Sequence, residues 1–571
     1  MNIRIPGIEN LYHRVLGEVH TEEERCQYLL KIYTDLIAVL TDASALHFNT
    51  LFARVSYVTS RYQLTRAWSY AFQIPRRELK KRQLSDHEVL PILKGTIEYL
   101  LALTKSDSSE PVHSQAIVFP SLPQLPPARR PGRFKKKFAR VVAIEWDKEN
   151  KVLTILDEEE PDKTCILHYC VEGINDIYSD TLELALKEIG LPIILGLTDI
   201  ECTEENQYIP GYIVIMPDLL LDVTSIAGAW SNGPDPLAVN LIDLFLPSDT
   251  SEAIMIGQVA NFFLDELIRD TRLPYADLFT RSFKIYPVEY VQMTDDKVKN
   301  MRNRMEPHFA NILKVIEERF PILGIDRQLC VIEPSYFSPQ YGIKGRLDLY
   351  FHHEKEEGAS IIELKSGKPF MPNSYGLSSS NYQQTLLYEL LIKSVHGPKH
   401  HRANYILYSA IAENPLRYAV SVESLQKETI QNRNELVLLQ FRMLQVEKEG
   451  SRDIFEEIDS LRYAGLKGFI QKNIQCWQKV YSGLSPGEKH YFKAFTSFIA
   501  REHMLARIGN ESGDGTGGLA GLWLDNINEK EERYQILRSL ELTTVDQSSG
   551  QTIITFARGE VTNPLANFRA G

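Results

Sequence analysis

The sequence predicts a mixed α/β multidomain protein, and three observations lead there. At 571 residues, and at ~150 residues per domain, the chain has room for three or four domains. Hydrophobic residues make up 43% and charged residues 24% of it, which supplies several cores and excludes global disorder. The spacing of apolar residues then changes along the chain, from helical steps to alternation and back.

The elements follow in order. Residues 1–125 form a helical region ending in a proline-rich linker. Apolar residues recur at three- and four-residue steps in Leu29, Leu30, Ile32, Leu36, Ile37 and Leu40, and again in Ile92, Leu93, Ile97, Leu100 and Leu101. Pro120, Pro123, Pro126, Pro127 and Pro131 make 105–131 an extended arm. Residues 126–240 read as a basic, β-rich module. Its strands fall at 138–146 and 151–156 around the turn Asp147-Lys-Glu-Asn150, with further apolar runs at 212–216 and 219–223. A core segment, 241–450, opens with helical periodicity at 252–270 and 296–320. Strands are predicted there at 329–332, 346–351 and 360–364, then a helix at 382–392 and a strand at 404–409. Residues 451–508 are a helical return. Residues 509–571 are a β-rich module that begins with a glycine-rich loop and carries strands at 540–545 and 551–556.

Charge and composition narrow the function. Sixty-three basic against seventy-five acidic residues leave a net charge of −12. That excludes a histone-like binder and leaves room for a local basic channel. One such stretch is Arg129, Arg130, Arg133, Lys135, Lys136 and Lys137, interleaved with Phe134 and Phe138. It has the composition to grip phosphates and stack bases. No apolar run approaches the ~18 residues of a membrane span, and the N-terminus lacks a secretory apolar segment. Six cysteines without a C-x-x-C pair predict reduced thiols and a cytoplasmic protein. In Cys165-Ile-Leu-His168-Tyr-Cys170 the spacing fits no standard zinc finger, and buried apolar cysteines are expected.

The chemistry is concentrated in about eighty residues. Asp348 follows Gly345-Arg-Leu in an otherwise apolar strand, where a lone carboxylate needs a partner or a metal. Glu363 and Lys365 lie two apart on a second strand, so both share a face while Leu364 points into the core. If the strands are neighbours, Asp348, Glu363 and the Leu364 carbonyl converge on one hard cation, Mg²⁺ or Mn²⁺. Lys365 would hold a water or offset transition-state charge. Gln384 and Tyr388, at i and i+4, share one face of the following helix. Alone, each motif reads as a solvated edge or an ion pair; together, in the order strand–strand–strand–helix–strand, they are far more specific.

The run Gly-x-x-Gly-Arg-x-Asp, Glu-x-Lys-x-Gly-Lys and Gln-x-x-x-Tyr resembles the RecB-like branch of the PD-(D/E)XK nucleases. Within it, the run is most similar to the nuclease half of the flap-processing replication nuclease–helicases. The resemblance covers about 250–410 and includes Met255-Ile-Gly257-Gln-Val-Ala-Asn261. It implies a restriction-endonuclease-like core flanked by an OB- or barrel-like module. It also implies metal-dependent DNA cleavage at single strands, flaps or ends in replication, repair or defence. Asp348 and Glu363 become metal ligands and Lys365 the catalytic lysine. Three departures stand out. Asn261 and Asn381 occupy positions where the family has histidine, which leaves Asn261, Asp265, Glu306, His308 and Glu333 as candidate third ligands. Only Cys476 follows Gln384, so no iron–sulfur cluster is expected. No Gly-x-x-x-x-Gly-Lys-Ser/Thr loop occurs, so the helicase motor is expected in a missing C-terminal half or a separate chain. The other readings are a weakly cutting DNA-binding platform for a helicase and a restriction-like antiviral effector.

Overall fold

The computed structural model describes residues 4–42, 51–105 apart from 63, 65–67, 69–70, 73 and 76–85, and 134–229 apart from 204–205. It also describes 241–245 apart from 243, 252–458 apart from 354–357, 370–371, 398–399, 449 and 452, then 469–509, and 518–559 in part. The proline-rich arm, Arg129, Arg130, Arg133 and most of the glycine-rich loop lie outside the described residues. Among these residues no helix is long and apolar enough to cross a membrane.

The N-terminal region is helical, as its periodicity predicts: Arg4–Gly17, Glu22–Asp42, Leu51–Arg61 and Asp86–Lys105. Thr21 starts the second helix with a reciprocal cap. Its hydroxyl accepts from the Glu24 N–H at 3.2 Å while the Glu24 carboxylate accepts from the Thr21 N–H at 3.0 Å. The predicted apolar stripes meet in one core containing Leu29, Ile32, Leu36, Ile37, Leu93, Ile97 and Leu100. Tyr57 leaves it to pack edge-on against Tyr418 at 5.4 Å, in the core around the five-stranded sheet described below.

A closed barrel comes next. Strand β1 (Phe134–Asp147) pairs with β2 (Val152–Asp157) on one side and with β4 (Ile193–Cys202) on the other. β2 pairs with β3 (Glu160–His168), β3 runs parallel to β5 (Gln207–Ile209), and β5 pairs back onto β4. The ring β1–β2–β3–β5–β4 leaves none of these five strands as a free edge. Strand β6 (Tyr212–Ile215) extends it from β4, and the helix Ser179–Glu188 sends Leu182, Ala185 and Leu186 into its core. Cys165 and Cys202 are buried there.

The apolar run 219–223 is a correction. Only Leu221–Asp222 is a strand (β7), and the helix Val223–Ala229 begins at once. The Asp222 carboxylate accepts from the Thr224 N–H at 2.9 Å and so turns the chain into that helix.

The region 252–458 holds a five-stranded sheet in the order β14-β13-β12-β11-β8. Its members are β8 (Val331–Ile332), β11 (Leu349–His352), β12 (Ala359–Lys365), β13 (His401–Tyr408) and β14 (Leu416–Ala419). β12 and β13 are parallel, joined by the helix Ser379–His396, the crossover that parallel neighbours need. Period-two alternation sorts β12. Ile362 and Leu364 pack with the helices Glu252–Arg269 and Asp295–Lys314, while Ile361 packs with Leu387 and Leu391 of the crossover helix. The strand expected over 346–351 is broken. β10 (Ile343–Arg346) belongs to a small sheet with β7 and β9 (Ser335–Ser338), and β11 starts only after Asp348. The strand expected over 329–332 shrinks to two residues, because Asp326 caps a 3₁₀ turn at Arg327–Leu329.

One buried arginine ties barrel to sheet. Arg433, on the helix Glu423–Gln445, is 0% exposed. It donates to the carbonyls of Met216 (2.7 Å), Leu219 (2.9 Å) and Gly342 (3.2 Å), and also to that of Ile215. Gly342 is required beneath it: φ is +63°, and a Cβ there would stand 2.4 Å from the guanidinium. Helices Phe469–Gly483 and Pro486–Ile508 pack beyond, the second started by a Ser485–Glu488 capping box. The hairpin β15 (Leu540–Asp546) and β16 (Ile553–Arg558) closes the described chain. Arg433→Met would remove a donor from four carbonyls, of which Met216 and Gly342 keep a backbone N–H from Leu219 and Leu221, and destabilisation of about 3 kcal/mol or more is expected. Arg433→Lys, lacking the guanidinium fork, should recover only part of it, as read from thermal and denaturant midpoints.

Candidate active site

The break between β10 and β11 makes the site. The register Leu349↔Ile362 sets Asp348, one residue before β11, beside Glu363 on β12. Asp348 Oδ2 accepts from the Leu364 N–H at 2.7 Å, which clamps the carboxylate to the neighbouring strand. Its Oδ1 faces the Asn261 side-chain amide, which donates at 3.3 Å. Gly257, one turn earlier on that helix, lies against Ser366, so the Gly257–Asn261 face covers the ends of β11 and β12.

Glu363 is 3% exposed. One oxygen accepts from Lys365 Nζ at 2.8 Å. The other, Oε2, is buried and has no hydrogen-bond partner among the described residues. Lys365 Nζ also donates to Gln384 Oε1 at 2.8 Å. Gln384 in turn donates to Tyr388 Oη at 3.1 Å, and Tyr388 donates to the Arg346 carbonyl at 2.7 Å. The predicted i, i+4 face of the crossover helix is therefore the lid over Lys365. Gly345 allows it, since a Cβ there would come within 2.8 Å of the Tyr388 ring.

The electrostatics of the group are tense. Burial, followed by the charge of Asp348, pushes the Glu363 carboxyl up to about 8. Burial also raises Asp348, against the pull of Lys365 and of its two hydrogen bonds. Lys365 moves the opposite way. Burial alone would lower it, but Glu363 and Asp348 outweigh that and hold the ammonium charged.

The candidate third ligands separate. Asn261 reaches Asp348 through its amide N–H. Asp265, one turn further along the helix, is raised to about 7 by burial and by the charges of Glu333 and Asp348, so it borders the site. Glu333 has φ +50°, donates its N–H to the Asp348 carbonyl at 3.0 Å and pairs with Arg346 at 3.2 Å. His308 is elsewhere: buried, it meets Ser409 Oγ at 2.8 Å and fastens its helix to the end of β13. Glu306 is solvent-exposed. Sequence reasoning missed Thr224, whose hydroxyl accepts from Gln384 at 3.5 Å across 160 residues, and Ser409, whose N–H donates to the Lys365 carbonyl. No local pattern announces either.

Of the basic stretch, Lys136 lies between Asp157 and Glu159 at 2.7 Å each, so its charge is neutralised internally. Lys135 and Lys137, on the opposite side of β1, are exposed.

The donor set suits a hard cation. Two crowded carboxylates, one with a buried unpartnered oxygen, gain from a positive charge and leave coordination sites for water, as Mg²⁺ prefers. Among the described residues no group of three or more His, Cys, Asp and Glu side chains is gathered for a metal; Asp348 and Glu363 are the two carboxylates that could hold one here.

The chain is similar to DNA replication ATP-dependent helicase/nucleases. It is 26% identical over 323 residues to dna2 of Schizosaccharomyces pombe, across 52% of this chain and 22% of that protein. It is 24% identical over 489 residues to DNA2 of Xenopus tropicalis, across 71% of this chain and 44% of that protein. To DNA2 of Bos taurus it is 22% identical over 423 residues, across 63% and 38%. The chain thus spans less than half the length of these curated relatives. No protein-family model matches it.

The raised Glu363 carboxyl makes a stability prediction. Its proton is held more tightly in the folded chain (about 8) than at the ordinary value of 4.5. Folded stability should therefore fall as pH rises through that window and be regained below it. In chelator, the melting temperature of Glu363→Gln should decline less between pH 5 and pH 8 than that of the native chain. Parallel declines would remove the assignment.

Proposed function

We propose that this chain is a metal-dependent deoxyribonuclease of the PD-(D/E)XK type, acting on single-stranded DNA, flaps or ends and working with a helicase motor. The observation that carries the reading is the Glu363 carboxylate: buried, half-satisfied, and wedged between Asp348 and the Lys365 ammonium. Similarity to proteins named as replication helicase/nucleases supports DNA as the substrate.

In this reading Asp348, Glu363 and the Leu364 carbonyl hold Mg²⁺ or Mn²⁺. When bound, such an ion supplies Lewis-acid stabilisation and a nucleophilic water at neutral pH. The chain's own groups do the rest. Asp348 is oriented by the Leu364 N–H and the Asn261 amide. Lys365 keeps its proton and places an ammonium against the phosphoryl oxygens, where charge grows during displacement. Gln384 fixes the Lys365 Nζ position, and Tyr388 anchors Gln384 to the backbone that precedes Asp348. Exposed Lys135 and Lys137 add phosphate contacts on the barrel.

Asn261 favours one other reading. An amide that donates to Asp348 competes with a cation for that oxygen, as expected of a core that grips DNA and cuts weakly, a platform for a helicase. End-labelled single strands and flaps incubated with Mg²⁺ or Mn²⁺, beside a binding assay, separate the two. For the nuclease, Asp348→Asn, Glu363→Gln and Lys365→Ala should each lower cleavage by about 100-fold or more with the melting transition retained. Binding without cutting by the native chain would favour the platform.

A further inference from the structure

At the far end of β11 from Asp348, four residues along and so ~13 Å away, the sheet meets the end of the Leu51–Arg61 helix. A cavity of about 470 Å³ opens there. Its polar lining is the two guanidinium groups of Arg61 and Arg402 and the imidazoles of His352 and His353 against a single carboxylate, Asp326, in a chain whose net charge is −12.

The arrangement is built. His353 is buried and engaged on both nitrogens, with Ser360 Oγ at 2.8 Å and the Arg402 guanidinium at 3.2 Å. Burial, with the charge of Arg402, keeps its imidazole neutral, so Nδ1 accepts from Arg402 and orients it. Arg61, on the helix, is exposed and close enough for its charge to act on Arg402. Two guanidinium groups from elements far apart in sequence are thus held facing one space despite their repulsion. Asp326 is occupied at its own turn, accepting from the Gln328 N–H at 2.9 Å. The remaining wall is apolar and open, with Leu329 51% exposed. On the rim, His352 stacks face to face with His400 at 4.8 Å.

We propose that this cavity is a second nucleic-acid contact, in which Arg61 and Arg402 take a backbone phosphate of single-stranded DNA and the apolar wall with His352 takes the adjoining sugar and base. Paired guanidinium groups suit phosphate oxygens through bidentate hydrogen bonds, and flat apolar and imidazole surfaces suit an unpaired nucleotide. The proposal rests on the nuclease reading for its choice of ligand, and it places a grip on the strand away from the cutting residues.

The test is anisotropy of a labelled oligothymidylate with the full chain in EDTA, over a salt series. Arg61→Glu, at an exposed position, should weaken binding about tenfold and lower the slope of log K against log salt by about one. Arg402→Gln should act in the same direction, with its melting temperature checked because Arg402 also holds His353. Affinity and slope unchanged in Arg61→Glu overturn the proposal. So does a native chain that ignores the oligonucleotide but is stabilised against heat by ATP or thymidine monophosphate through Arg61, which would assign the cavity to a free nucleotide. The nuclease reading is scored separately, by cleavage with Mg²⁺. A chain that cuts but binds independently of Arg61 loses only this contact, and one that binds through Arg61 without cutting loses only the nuclease.

Discussion

Two carboxylates and one ammonium crowd together at the edge of the core, with Glu363 buried and Asp348 and Lys365 partly exposed, and the surrounding elements of the five-stranded sheet keep them there. Asp348 and Glu363 repel each other, and burial penalises both as anions. Lys365 offsets part of that penalty and no more, since one Glu363 oxygen is left unpartnered among the described residues. Such a group is held together by its scaffold rather than by its own attraction. The scaffold is specific. The Leu364 N–H anchors Asp348, Gln384 anchors Lys365, Tyr388 anchors Gln384, and the Arg346 carbonyl returns the chain of contacts to the strand before Asp348.

That closed circuit explains why the fold breaks a strand where the sequence reads a continuous one. The apolar run through Leu347, Leu349, Tyr350 and Phe351 has strand character throughout, and both halves are strands. Asp348 cannot point into a dry core and also meet Glu363, so the chain bends there and passes from the three-stranded to the five-stranded sheet. Arg433 makes the exchange of sheets durable. It collects carbonyls from the end of β6, from the turn before β7 and from Gly342 ahead of β10. The barrel and the five-stranded sheet consequently share a core with the helix Glu423–Gln445.

Legibility in the sequence followed the range of the physics. Features set by neighbours within a few residues could be read: the stripes around Leu29–Leu40 and Ile92–Leu101, the turn Asp147–Asn150, the shared face of Glu363 and Lys365, and the i, i+4 pair Gln384 and Tyr388. Features set by partners far along the chain could not. Thr224 meets Gln384 across 160 residues. His308, a plausible metal ligand by composition, is consumed by Ser409 on another element. The basic stretch shows the same limit, since the alternation that exposes Lys135 and Lys137 turns Lys136 onto Asp157 and Glu159. The short helix after Asp222 was legible in principle, through Asp222-x-Thr224, but the apolar run that contains it outweighed one capping residue.

A buried glutamate next to a lysine need not be functional, and this protein contains the comparison that separates the cases. Glu389, on the crossover helix, is 0% exposed and also pairs with a lysine, Lys393. Its two oxygens further accept from Ser421 and from the Asn404 amide at 3.1 Å, and His401 stands 3.6 Å away. Burial alone would raise its carboxyl, yet these partners outweigh burial and hold it at about 2. Within the same fold, selection for stability thus has the means to satisfy a buried carboxylate completely. Glu363 is left at about 8, with one oxygen unpartnered among the described residues. We read that difference as room for a divalent cation, whose charge and oxygen preference would complete the contacts of Glu363.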